Sequence, residues 1–468
     1  MRLDRRQFAF GGMASLAFGG AAQVTARQVT AAQAPMAQRT FGKDAAGYGP
    51  LVPDPARFFD LPRGFSYTIV SSFGEALDDG YAVPDKFDGM GCFALGGSRV
   101  ALVRNHELKP EDRAKGPTRG LERLERRLRN EPHFGRDKQG KVLPGSTTTI
   151  TYNLRTRRRE RQVLTLAGTA VNCAGGETPW GSWLSCEETV LDSQDVGQSH
   201  GWIFEVPASA PGLVAARPLT AMGRFRHEAA AIDRRTGIVY LTEDRDDGLF
   251  YRFLPDQRRQ LGAGGRLQAL ALASQVGADT RNWKEQWFAQ GMQVAARWID
   301  VPGTDSPADD LRHRGRALGA AIFARGEGIY HGNGELFFTA TSGGAGRYGQ
   351  IMRYVPSRDE GQPRQQPGSL QLFVESRDPS VLDYGDNLTV APWGDLIVCE
   401  DRTGGKTNHL KGVTPAGRIY TFGRLHADTE LAGACFTPDG RTMFVNAYSP
   451  GRTLAITGPW QRSPRTPD

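Results

Sequence analysis

One unit recurs along this chain: an inner strand, a tight turn, a second strand and an outer strand of aromatic and basic character. It reads most clearly as His227 to Asp233, the turn Arg234 to Gly237, Ile238 to Thr242, the acids Glu243 and Asp244, and Gly248 to Phe253. The plan returns in Glu327 to His331, a Gly-Asn-Gly turn, Glu335 to Thr341 and Gln350 to Tyr354. It returns again in Asp386 to Val390, Pro392-Trp-Gly, Asp395 to Asp401 and Gly417 to Phe422. A last copy runs Gly433 to Phe436, Pro438-Asp-Gly and Arg441 to Asn446. Such a unit at roughly 45 to 80 residue spacing is how propeller blades read in sequence. The fold class predicted is therefore all-β, a β-propeller of five or six blades with inserted helical segments.

Composition agrees, since 58 glycines and 28 prolines in 468 residues favour short strands joined by turns. Two stretches interrupt the pattern. Around 108–142, Leu121, Leu124 and Leu128 sit at helical spacing on an Arg- and Glu-rich segment, which predicts a short charged helix. Around 255–320, Leu261 to Leu272 and Trp283 to Met292 suggest a second insertion of helical character.

The N-terminus supplies an address. Arg5-Arg6 precedes a weakly apolar run from Phe8 to Ala22 and small residues near Ala26, the pattern of a twin-arginine signal over 1–26, followed by a flexible leader over 27–45. Residues 46–468 then form a single propeller domain. No later run of about 20 apolar residues occurs, so no stable membrane anchor is expected. The expected protein is periplasmic or secreted, a monomer, and a partner of the twin-arginine translocase during export. The formal charge of +7 is spread among acids, which argues against nucleic acid as a partner.

The stretch Asn172 to Glu188, N-C-A-G-G-E-T-P-W-G-S-W-L-S-C-E-E, places Cys173 among glycines with two acids at its end. A thiolate beside carboxylates repels them unless a cation intervenes. The residues read equally as half of a metal site or as a buried structural cysteine with a solvated Glu187-Glu188 pair. None of the five cysteines forms a C-x-x-C pair, so neither a zinc ribbon nor a thioredoxin motif is present. If successive blades place equivalent residues at one rim, Glu228, Glu327 and Asp386 at strand starts converge there. Glu107, Glu188, Asp244 and Asp401 at second-strand ends join them. Oxygen ligands suit calcium or iron(III), and a thiolate favours iron. Arg325, two residues before Glu327, suits a grip on a phosphate, or a pairing with a neighbouring acid.

The same stretch, with R-F-R-H-E, R-G-E-G, D-N-L and the D-G-M-G of Asp88 to Gly91, resembles the PhoX family of bacterial alkaline phosphatases over nearly the whole mature chain. The resemblance implies a phosphate-ester hydrolase with Fe(3+) and Ca(2+) at the propeller mouth. Cys173, Glu188 and Glu228 would sit on the metals, and Asn105 and Glu107 would contribute at the first blade, with His106 between them. Arg325 and Glu327 would hold phosphate and calcium as the catalytic pair, and a later acid would come from Asp386 or Glu400-Asp401. A metal-bridging oxide or hydroxide would attack phosphorus while calcium and Arg325 spread the growing charge. The alternatives from the residues are a calcium-dependent propeller lactonase or esterase, and a propeller that only binds a partner.

Overall fold

The computed structural model describes residues 47–460, except 363–365, 403 and 406; the expected signal and leader lie outside the described residues. Six short strands stand in a closed ring, each packed against the next and the last against the first: Phe87–Gly96, Asn172–Glu177, His227–Ile232, Gly326–Gly332, Gly385–Val390 and Leu431–Phe436. Each is the end strand of its run and pairs only outward. Their Gly- and Ala-rich sequences follow from this crowding, because six backbones share one axis. A Cβ on Gly176 would lie 2.0 Å from the Ala230 carbonyl oxygen, and one on Gly328 would lie 2.7 Å from Asn387 Cα. No larger residue fits there.

From the ring, antiparallel strands lead outward into four blade-like sheets and one larger sheet. The first blade adds Arg99–His106, Gly145–Asn153 and Arg158–Thr169, and the second adds Ser182–Glu187 and Ile203–Pro207. The larger sheet has nine strands, running from His227–Ile232 to Gly326–Gly332. This departs from the five or six separate blades expected. The reason is the stretch after residue 255, whose strand Gln293–Asp300 pairs with Gly368–Glu375 and joins two repeats edge to edge.

That stretch also corrects the expected helical character. Leu261 to Leu272 contains the strand Gly265–Leu272, buried on both faces, so its apolar run carried no period to separate strand from helix. Trp283 to Met292 holds no helix; the α-helix of this insertion is Leu311–Ala317. In the earlier insertion the helix forms as Glu122–Leu128, burying Leu124 and Leu128 against Leu77, Tyr81, Phe87 and Leu164 while Leu121 stays 57% exposed.

Strands from both ends of the chain close the ring. Ser66–Ser72 pairs antiparallel with Arg452–Thr457, from Ser66 opposite Thr457 to Ser72 opposite Arg452. An edge that would otherwise be open is thereby covered.

Gly328→Ala is expected to lower the free energy of unfolding by about 1–3 kcal/mol through overpacking of the ring, read as an earlier urea midpoint. Gly212→Ala, whose Cβ would meet nothing within 4 Å, is expected to shift it by no more than about 0.5 kcal/mol.

Candidate metal centre

Every ring strand carries the same irregularity near its start. The pairing skips from Phe87 to Met90, Asn172 to Gly175, His227 to Ala230, Gly326 to Ile329, Gly385 to Leu388 and Ala432 to Cys435, against two residues on the partner strand. A bulge of this kind leaves one residue unpaired and re-aims side chains. The first residue released is in turn Asp88, Cys173, Glu228, Glu327, Asp386 and Gly433. Two residues earlier the backbone is left-handed in four of the six strands, at Lys86, Val171, Arg325 and Tyr384, with φ from 51 to 55°. For branched Val171 that conformation is strained, and strain of this sort gathers at functional sites.

A second tier comes from the residue just past each second strand. Those positions are Glu107, Glu188, Asp244, Thr341, Asp401 and Tyr448. Together the tiers bring ligand atoms into four groups, each with its atoms within 4.8 Å of one another: Cys173, Glu188 and Glu228; Glu228, Glu327 and Asp386; Asp386, Asp401 and Glu430; Asp88, Glu107 and Glu430. Glu228, Asp386 and Glu430 each belong to two groups. Shared carboxylates are what a cluster of several cations needs.

Electrostatics point the same way. Burial raises the carboxyl of Glu228 well above its usual range, with Glu327, Asp386, Glu188 and Asp88 adding repulsion. Asp88, Glu188, Glu327 and Glu430 are raised well above theirs, burial again leading. Asp386 is pushed up to about 8 by burial and then by Asp401. The Cys173 thiol, with Sγ 3.7 Å from Asp88 Oδ2, is held protonated by burial and by the same acids. Both carboxylate oxygens of Glu228 are buried and make no hydrogen bond among the described residues. Ionised oxygens in that condition need a cation, and a sulfur among carboxylates is a donor set that suits iron better than calcium.

Three cationic side chains stand two residues before ring acids. Arg325 donates through Nε to Asp244 Oδ1 at 2.7 Å, and through Nη2 to Asp244 Oδ2 at 3.1 Å and Glu327 Oε1 at 2.7 Å. The Glu327 charge, followed by Asp244 and Asp386, holds that guanidinium firmly charged. Lys86 is tied to Asp112 at 2.9 Å, and Arg226 lies 3.6 Å from Glu188.

The predicted residues Glu107, Cys173, Glu188, Glu228, Glu327 and Asp386 therefore meet at one mouth, with Arg325 beside them. Asn105 lies underneath and is fully engaged. Its Nδ2 donates to the Cys173 and Ala174 carbonyls at 2.9 and 2.7 Å, and its Oδ1 accepts from Trp183 Nε1 and Ser185 Oγ at 3.0 and 2.9 Å. Of the late acids, Asp401 joins the mouth, whereas Glu400 accepts from the Asp383 amide and from His409. Glu187 is likewise turned away, held by His200 and three backbone amides. Reading by strand starts missed Asp88 and Glu430. Asp88 lay inside a motif already noticed, one residue into its strand. Glu430 precedes the strand whose bulge position is Gly433, so no acid stood where the repeat points. Gly433 is required there because a Cβ would lie 2.4 Å from the Asp88 carbonyl oxygen, at φ +61°.

The family model described as alkaline phosphatase PhoX matches residues 46–133 and 130–451. No curated protein sequence matches the chain. Among solved structures, Pseudomonas fluorescens PhoX in complex with vanadate, a transition-state analogue, is similar at 20% identity and a TM-score of 0.64. That match covers 89% of this chain and 98% of that one. A gluconolactonase from Xanthomonas campestris matches at 12% identity over 89% and 98% of the two chains, with a TM-score of 0.42 that carries no argument.

Without cations, the raised carboxyls make the folded state bind more protons than the unfolded one. Stability is then fully present below the ordinary carboxyl value, 3.8 for Asp386, and is lost as pH rises through about 8. Chelated protein is expected to melt at falling temperature as pH goes from 5 to about 8, and added calcium and iron should flatten that slope. Thermal melts across the pH series, with and without chelator, read this directly.

Proposed function

The chain belongs to the PhoX alkaline phosphatase family and is a phosphatase, and from that premise we propose that it is an exported enzyme hydrolysing small phosphate monoesters with iron(III) and calcium at the ring mouth. The observation that carries this reading is the set of four ligand groups chained through Glu228, Asp386 and Glu430, with both Glu228 oxygens buried and unpartnered. Cys173, Glu188 and Glu228 are assigned to iron. Glu327, Asp386, Asp401, Glu430, Glu107 and Asp88 supply the oxygen-only groups that suit calcium. When bound, such ions would activate the attacking oxygen and neutralise charge on the phosphoryl group.

The chain's own side chains divide the remaining work. Arg325 binds a phosphoryl oxygen through Nη1, which has no partner among the described residues. Asp244 and Glu327 hold its guanidinium, so little ordering remains to be done when substrate arrives. Its side chain is 29% exposed, open enough for a small ester to reach. Asn105 acts as a positioning residue, fixing the Cys173 backbone rather than giving an oxygen to a metal. Tyr448 donates to Glu107 and sets the orientation of that carboxylate. Export rests on the Arg5-Arg6 signal, with the translocase as its partner, and the mature protein is assigned to the periplasm or medium as a monomer. Family membership displaces the lactonase and the non-enzymatic readings.

Elemental analysis of protein exported through its own signal is the first test. Iron and calcium are expected in the wild type, with iron lost and calcium kept in Cys173→Ala; calcium alone in the wild type would remove iron from the proposal. Arg325→Ala is expected to lower kcat/KM for a phosphate monoester about 100-fold, the scale of one charged hydrogen-bonding group. An unchanged value would assign the phosphoryl grip elsewhere.

A further inference from the structure

Arg226 occupies in the third ring strand the place that Arg325 occupies in the fourth. Each lies two residues before the bulged acid, Glu228 in one case and Glu327 in the other. Their surroundings are joined: the Asp244 amide donates to the Arg226 carbonyl at 3.3 Å, the Asp244 carboxylate holds Arg325, and Glu188, repelled by the neighbouring Asp244, lies 3.6 Å from Arg226 Nη1. Two guanidinium groups thus flank one pair of carboxylates at the mouth.

They differ in how far they are satisfied. Arg325 spends three hydrogen bonds on Asp244 and Glu327, and Lys86, the third cation at an equivalent position, is neutralised by Asp112. The Arg226 guanidinium makes no hydrogen bond among the described residues. Its Nε is buried without a partner, and its contact with Glu188 is too long for a hydrogen bond. A buried, unpaired guanidinium donor is costly. The side chain is nonetheless 41% exposed beside the acid ring, so an incoming group can reach it. A guanidinium has five donors in a planar fork that matches an oxyanion.

We propose that Arg226 is a second phosphoryl-binding residue, gripping the substrate or product phosphate from the side opposite Arg325. The inference rests on the phosphatase reading of the same mouth and adds to it a two-arginine clamp. With Arg325 held by three hydrogen bonds and Arg226 making only the 3.6 Å ion-pair contact with Glu188, Arg226 is the member of the clamp that orders on binding. Its contribution falls on phosphate affinity rather than on retention of the metals.

The test uses the metal-loaded, full chain and three variants: Arg226→Ala, Arg226→Lys and, on a turn outside the ring, Arg235→Ala. Inorganic phosphate is the probe, both by equilibrium titration and as an inhibitor of monoester hydrolysis. Arg226→Ala is expected to weaken phosphate binding about 10- to 100-fold, the equivalent of one charged hydrogen-bonding group, and to raise KM more than it lowers kcat. Arg226→Lys should restore part of that affinity, since the charge returns without the fork, and Arg235→Ala should match the wild type. Metal content should be the same in all four. Unchanged phosphate affinity in Arg226→Ala overturns the proposal, and so does loss of metal, which would make Arg226 a counter-charge for Glu188. A wild type that hydrolyses no monoester would overturn the phosphatase reading, while the equilibrium titration would still decide the role of Arg226.

Discussion

The mutual repulsion of buried acids at one mouth is the constraint that the rest of the molecule answers to. Asp88, Glu188, Glu228, Glu327 and Glu430 all have carboxyls raised well above the usual range, first by burial and then by the neighbouring acids. A surface cluster would relax by moving apart or by taking up water. Here each acid sits in a bulge near a strand start, just before a strand or just past a strand end, so its backbone is anchored by the hydrogen-bond ladder beside it. The ladders in turn are locked in a ring whose Gly and Ala contacts leave no slack, and Ser66–Ser72 ties the last sheet with chain from the other end. The frame is rigid because the site it carries would otherwise disperse.

The bulges show how a repeated frame builds a site that is not symmetric. One local device, an extra residue near the start of each ring strand, serves all six strands and aims one residue of each toward the mouth. What is aimed differs: carboxylates from four strands, a thiol from one and a glycine from one. The position two residues earlier differs as well, carrying Lys86, Val171, Arg226, Arg325, Tyr384 and Leu431 in turn. Three cations and three neutral residues thus stand behind a rim of acids. The backbone fixes positions and the side chains alone decide which ligand each sector takes.

Much of this was legible before any coordinates. The repeat was visible because each unit pairs an inner strand with a Gly-rich turn and an acid, and those acids do converge. The apolar run Leu261 to Leu272 reads as helical in sequence but holds a strand, since a strand buried on both faces has no period of two to show. Separate blades were expected where Gln293–Asp300 bridges two repeats, a pairing between residues far apart in sequence that no local pattern records. Asn105 is expected at the first blade from the family resemblance and not from a pattern of its own. Only the hydrogen bonds reveal that its amide is spent on the Cys173 backbone. Glu430 escaped because its strand presents Gly433 at the bulge, and an acid three residues early breaks the repeat that made the others visible.

That exception explains how the mouth accommodates its last sector. With glycine at the sixth bulge, the Asp88 backbone can come close to Gly433, and the Asn387 side chain accepts the Gly433 amide at 2.9 Å. A carboxylate released at that bulge would compete for this space. Supplying Glu430 from just before the strand keeps its carboxylate beside Glu107, Asp88 and Asp401 without forcing the first and sixth ring strands apart. The close backbone approach in this sector and the displaced acid are therefore two consequences of one choice of residue.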